Sequence, residues 1–203
     1  VILPLDWRWT GPEKRRVAEY FGVALVVVEA GAELAGVASI EMSGAWHAAI
    51  AKRQSDAPCA AGGARPVVLS LSSGTTGRPK GPALTHDQFI ARFIIQWVSL
   101  GFNQHDRYLS ATPIYFGGGR SFAMGSLFSG GTVILFPPPY EPSDLIEAAS
   151  KYEATTLLLV PTLLRQLLEL PDGGAPLLAG LNRLLSTGAI LYPDERQAVL
   201  DRL

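Results

Sequence analysis

Residues 72–81, SSGTTGRPKG, bring two serines, two threonines, three glycines, an arginine and a lysine into one loop-forming stretch. Glycines let backbone N–H groups approach an anion, hydroxyls add donors, and a lysine adds positive charge. That set suits a polyphosphate. The P-loop signature G-x-x-x-x-G-K-[ST] nevertheless fails here. Counted from Gly74, its second glycine is Pro79 and its metal-binding hydroxyl is Gly81. Lys80 is followed by Gly81-Pro82, and the next helix signal waits until Thr85, whereas a P-loop lysine opens its helix.

The loop must be held by the elements around it. Short apolar runs alternate with helix-length amphipathic stretches along the chain. VILPLDW reads as a strand, and Thr10 with Glu13 spells a capping box for a helix through Tyr20. VALVVVE (23–29) and ASIEM (38–42) read as strands, GAWHAAIAK as a short helix, and 67–71 as the strand that feeds the loop. Thr85 and Gln88 form a second capping box, opening a helix whose apolar face is Phe89, Phe93 and Trp97 with Ile90 and Ile94. YLSATPI, TVILF, TTLLLVP and NRLLSTG read as further strands. Between and after them lie the helices SFAMGSLFSG, DLIEAASKYE, TLLRQLLEL and PDERQAVLDRL. Continuous apolar strands alternating with helices predict an α/β fold, parallel-rich sheets with helices packed on both faces. Division into an α/β segment 1–66 and a loop-bearing α/β segment 67–203 is expected.

Composition excludes several classes. The chain has 203 residues, 48% of them apolar, and a formal net charge of −1, without the basic excess of a nucleic-acid binder. The single cysteine, Cys59, excludes an intramolecular disulfide and a multi-cysteine zinc site, which suits a reducing, cytoplasmic setting. His47, His86 and His105 show no metal-ligand spacing. No apolar run approaches the ~18 residues of a membrane span, and no secretory leader is expected.

SSGTTGRPKG, followed by Thr85-His86, resembles the phosphate-binding loop of the adenylate-forming enzymes, a superfamily that includes acyl-CoA synthetases, aryl-CoA ligases, luciferases and peptide-synthetase adenylation domains. The S-G-T-T-G-x-P-K-G string stands without a substitution. DRYLSATPIYFGGG resembles the family's D-x-x-L-x-x-x-P-x-x-H-x-x-G segment through Asp106, Leu109, Pro113 and Gly119. SLFSGGTVILF, KYEATTLLLVPTLLRQLL and LLSTGAIL resemble three further stretches in family order. Two positions depart from the pattern: Phe116 replaces the histidine of many ligases, and Ile190 replaces the proline after Gly-Ala.

The resemblance implies roles residue by residue. Ser72, Ser73, Gly74, Thr75, Thr76, Gly77 and Lys80 would cradle the phosphates of ATP, with Thr76 and Lys80 as the catalytic pair and Thr76 positioning Mg2+. Gly188 and Ala189 would offer backbone to adenine; a plain strand-to-helix turn gives the same pattern. Phe116, Gly117 and Gly118 would line an acyl pocket, although a glycine-rich turn is the bland alternative. Arg120 could meet a substrate carboxylate, with a solvated arginine as the favoured expectation, and the four tryptophans are expected to be core or partial core.

The implied activity is ligation of a small carboxylic acid, fatty or other acyl, to coenzyme A through acyl-AMP. ATP, Mg2+ and coenzyme A would take part, without nucleic acid or a transmembrane segment. A ligase loading a carrier protein and a non-catalytic nucleotide-binding module are the alternatives. The family's magnesium-holding glutamate, ribose-binding aspartate and C-terminal catalytic lysine have no counterpart in these residues. The chain is therefore expected to be an incomplete piece of the adenylate-forming N-terminal domain, inactive alone.

Overall fold

A computed structural model describes residues 1–53, 62–71, 80–171 and 173–203. The chain divides into two compact units, Val1–Ala83 and Leu84–Leu203.

In the first unit, α1 (Gly11–Tyr20) starts at the predicted capping box: Thr10 N–H donates to Glu13 Oε2 at 2.8 Å, and Glu13 N–H to Thr10 Oγ1 at 3.4 Å. β1 (Val26–Glu29) and β2 (Ser39–Met42) pair in parallel, and α2 (Gly44–Ala51) follows. The segment VILPLDW is not a strand. Ile2 alone forms a bridge, to Val68 of β3 (Pro66–Leu69), because Pro4 interrupts the run of donors a ladder needs. β3 pairs with the start of β4 (Ala83–Thr85), where Ser70 N–H donates to Pro82 O at 3.0 Å.

The second unit opens with α3 (His86–Leu100), capped by Thr85 and Gln88 as expected. Its buried side chains are Phe89, Phe93 and Gln96, while Ile90, Ile94 and Trp97 are exposed. The buried face thus turns one position from the predicted stripe, and Gln96 is admitted by donating to Ser121 Oγ at 3.2 Å. Trp7 is exposed as well, so neither it nor Trp97 is core.

Then follow β5 (Arg107–Ser110), α4 (Gly117–Phe128), β6 (Thr132–Leu135), α5 (Pro142–Lys151), β7 (Thr156–Leu159), α6 (Pro161–Leu168), β8 (Arg183–Ser186) and α7 (Pro193–Arg202). The four strands form one all-parallel sheet in the order β6-β5-β7-β8. Successive residues of β5 and β7 serve opposite faces. Leu109, Leu157 and Leu159 pack with Leu145, Leu164, Leu167 and Val199 of α5, α6 and α7, while Tyr108 and Leu158 pack with Ala123 and Phe122 of α4. Burying each such leucine contributes about 2 kcal/mol. The sheet is covered on both faces, as the continuous apolar strands predicted.

Candidate functional site

β5 connects outward to β6, and the chain then crosses back to place β7 on the other side of β5. The direction of winding therefore reverses between β5 and β7. In open parallel sheets, the crevice outside the strands' C-terminal ends at such a switch point is where ligands bind. Because all four strands are parallel, their exit loops share that edge.

Two of these loops, after β5 and after β8, lead into the site residues read from sequence in this unit. After β5, the chain runs through Thr112 to Phe116, the N-cap of α4, and into Gly117 and Gly118. Thr112 Oγ1 donates to Leu158 O at 3.1 Å, tying this loop across the switch point to β7. After β8 come Thr187, Gly188 and Ala189. A Cβ added at Gly118 would lie 3.9 Å from Thr187 Cγ2, and one at Gly188 would lie 3.7 Å from Val160 Cγ1. One acyl-pocket candidate, Gly118, thus lies beside the turn that carries the adenine candidates, and Val160 lies beside Gly188. Gly188 has φ +96°, a conformation that glycine takes without strain.

The glycine run is not a turn before the helix. Gly117–Gly119 form the first turn of α4, against their low helix propensity. The reason at Gly119 is contact: a Cβ there would stand 2.5 Å from both Thr112 O and Pro113 O. Arg120 is buried, in contrast to the expected solvated side chain. Its Nη1 donates to Ile114 O at 3.0 Å and Tyr115 O at 3.3 Å, so it braces the loop that carries Phe116. Burial, with a smaller contribution from Arg92, holds its guanidinium below the usual arginine range.

Sequence reading missed other members of this edge. Tyr140 donates its hydroxyl to Ala111 O at 2.8 Å, and burial raises its pKa. Arg165 Nη2 donates to Glu195 Oε2 at 3.1 Å and to Ile190 O at 3.3 Å, fixing the turn after β8. Arg165, on α6, and Glu195, thirty residues later on α7, show no local pattern that announces the pair.

In the first unit, Ser72, Ser73, Gly74, Thr75, Thr76 and Gly77 lie outside the described residues, as does Cys59. The ends of the loop are described. A Cβ at Gly81 would stand 2.6 Å from Ser70 O, so the returning strand passes directly against the departing one. Lys80 is exposed, five residues before the cap of α3 and outside any helix, as the failed P-loop match required. Among the described residues, no cluster of three His, Cys, Asp or Glu side chains is placed to hold a metal, and no helix is long and apolar enough to cross a membrane.

A profile of the AMP-binding enzymes matches residues 1–203. The chain belongs to that family. Among curated members, it is 26% identical to indoleacetate–CoA ligase of Aromatoleum aromaticum over 96% of this chain and 41% of that protein. It is 33% identical to sulfoacetate–CoA ligase of Cupriavidus necator over 66% of this chain and 26% of that one. The solved structure of ATP-bound MatB from Rhodopseudomonas palustris superposes on all of this chain and 42% of its own, with a TM-score of 0.85 and 25% identity. The chain thus spans about two fifths of the indoleacetate ligase and of MatB, and its fold is that of the adenylate-forming N-terminal domain.

Proposed function

We propose that the protein acts as part of an AMP-forming acid–coenzyme A ligase. The observation that carries this reading is the unbroken S-G-T-T-G-x-P-K-G string in a chain whose whole length matches the family. In the first half-reaction, a substrate carboxylate oxygen bonds to the α-phosphorus of MgATP, and the bond to the bridging oxygen breaks, releasing pyrophosphate and leaving acyl-AMP. In the second, the thiol of coenzyme A adds to the acyl carbon, AMP departs, and the thiol proton is lost to solvent.

In-line displacement at phosphorus requires no protein nucleophile, so the chain's contribution is positioning and charge neutralisation. Ser72–Gly77 supply N–H and hydroxyl donors to the phosphates, Thr76 helps seat the magnesium that enters with ATP, and Lys80 offsets charge developing on pyrophosphate. Gly188 and Ala189 present backbone to the base. Phe116, Gly117 and Gly118 flank the acid.

Carboxylate-dependent ATP–pyrophosphate exchange by the full-length protein tests the reading. Lys80→Ala should slow exchange on the order of a hundredfold, the usual loss when one preorganised donor to a developing charge is removed. Exchange unimpaired by Lys80→Ala would refute the assignment. The 203-residue chain alone is expected to form no acyl-AMP.

A further inference from the structure

The two edges of the four-stranded sheet differ in charge. The segments leaving its C-terminal edge run through ATPIYFGGG (111–119), FPPPYE (136–141), VPTLL (160–164) and TGAILY (187–192); none contains Lys or Arg, and their one charged residue is an acid, the exposed Glu141 that caps α5. The N-terminal edge carries Asp106, Arg107, Glu153 and Arg183. Ile114, Phe116, Val160 and Ile190 are all exposed at the C-terminal edge, Ile190 by 69%. Among the described residues, two arginines donate hydrogen bonds to these loops: Arg120 to Ile114 O and Tyr115 O, and Arg165, which also pairs with Glu195 of α7, to Ile190 O.

We infer that the acid taken at this edge is a monocarboxylic acid with an uncharged apolar tail, aryl or alkyl, and that acids with a second anionic group are rejected. The inference rests on the acid-activating reading above. An apolar tail gains from burial against Ile114, Phe116, Val160 and Ile190. A second carboxylate would lose its hydration there against loops that contain no cation to pair with it and one acid, Glu141, to repel it, and rejection of an unpaired polar group is strong discrimination. The opposing feature is Arg92 of α3, exposed and near enough to Arg120 to act on it as a like charge. A tail anion drawn to that pair would reverse the preference.

The test compares matched acids in ATP–pyrophosphate exchange by the full-length protein: hexanoate against adipate, and phenylacetate against 4-carboxyphenylacetate. We expect kcat/KM for the monoacid to exceed that of its diacid partner by about a hundredfold or more. Equal or higher values for the diacids overturn the inference while leaving acid activation standing. Absence of exchange with every carboxylic acid overturns the activating reading and this inference with it. Ile190→Arg supplies a second arm, because the exposed side chain can be exchanged without disturbing packing. It should narrow the hexanoate-to-adipate ratio about tenfold by placing a cation beside the tail. A ratio unmoved within about twofold would remove the tail from this rim.

Discussion

Arg183 Nη1 lies 3.0 Å from both carboxylate oxygens of Asp106, at the N-terminal edge of the sheet. The same nitrogen donates to Thr156 Oγ1 at 2.8 Å, Nη2 donates to Gly101 O at 2.8 Å, and the guanidinium stacks 5.2 Å from the centre of the Phe102 ring. The cluster joins the first residue of β8 and the first of β7 to the residue before β5. Asp106 is buried, so removing its partner leaves an uncompensated charge. Arg183→Ala is expected to cost about 3–5 kcal/mol in urea unfolding. Arg183→Lys should recover only part of that, because an ammonium cannot reproduce the fork.

Gly118 and Gly119, adjacent in the first turn of α4, should respond oppositely to alanine. At Gly119 the new methyl meets two carbonyl oxygens at 2.5 Å, and a loss of about 1–3 kcal/mol is expected. At Gly118 it reaches Thr187 Cγ2 at 3.9 Å, ordinary contact, and the gain in helix propensity should leave stability unchanged or raised by up to about 1 kcal/mol. Thermal melts of the two variants check the contrast; equal losses would refute it.

Tyr108 is fully buried, and among the described residues its hydroxyl has no hydrogen-bond partner. Burial raises its pKa strongly. Tyr108→Phe removes the unpaired hydroxyl and keeps the ring, so urea unfolding should show equal stability or a gain of about 1 kcal/mol. A loss of more than about 1 kcal/mol would mean that the hydroxyl is satisfied in solution.

The Arg165–Glu195 pair predicts an acid dependence. The hydrogen bond from Arg165 holds the Glu195 carboxyl below its ordinary value of 4.5, with the Tyr192 N–H bond adding to the effect. A lowered folded-state pKa stabilises the fold above 4.5, and that contribution disappears as pH falls through the lowered value. The Tm difference between wild type and Glu195→Gln should therefore be largest at neutral pH and shrink below pH 4.5. A difference that grows on acidification has the wrong sign for this pair.

The parts of the fold legible in sequence were those set by local chemistry. Thr10 with Glu13 and Thr85 with Gln88 mark helix starts because each box closes within four residues. The strands of the second unit were visible as apolar runs because both of their faces are covered. What escaped depended on contacts distant in sequence. Burial of Gln96 in place of Trp97 depends on Ser121, twenty-five residues on. Burial of Arg120 depends on the path of the 114–115 carbonyls, and the exclusion of any side chain at Gly119 depends on the Thr112 and Pro113 carbonyls that press against it. At the site, residue types pointed to the loop and the two turns; the meeting of those turns followed from strand order, which composition does not encode.

The close passage of Gly81 against Ser70, with the bond from Ser70 N–H to Pro82 O, also bears on chain entropy. A flexible segment that must gather around an anion loses freedom both in bringing its ends together and in ordering what lies between. Here the fold has already met the first of these costs, since residues 70 and 81 are in contact through backbone that no side chain larger than hydrogen could share. On the proposed reading, an anion taken between residues 70 and 81 meets a loop whose ends are already joined. If the proposed phosphate role of this loop holds, a side chain at Gly81, by parting the two ends, is expected to weaken anion binding.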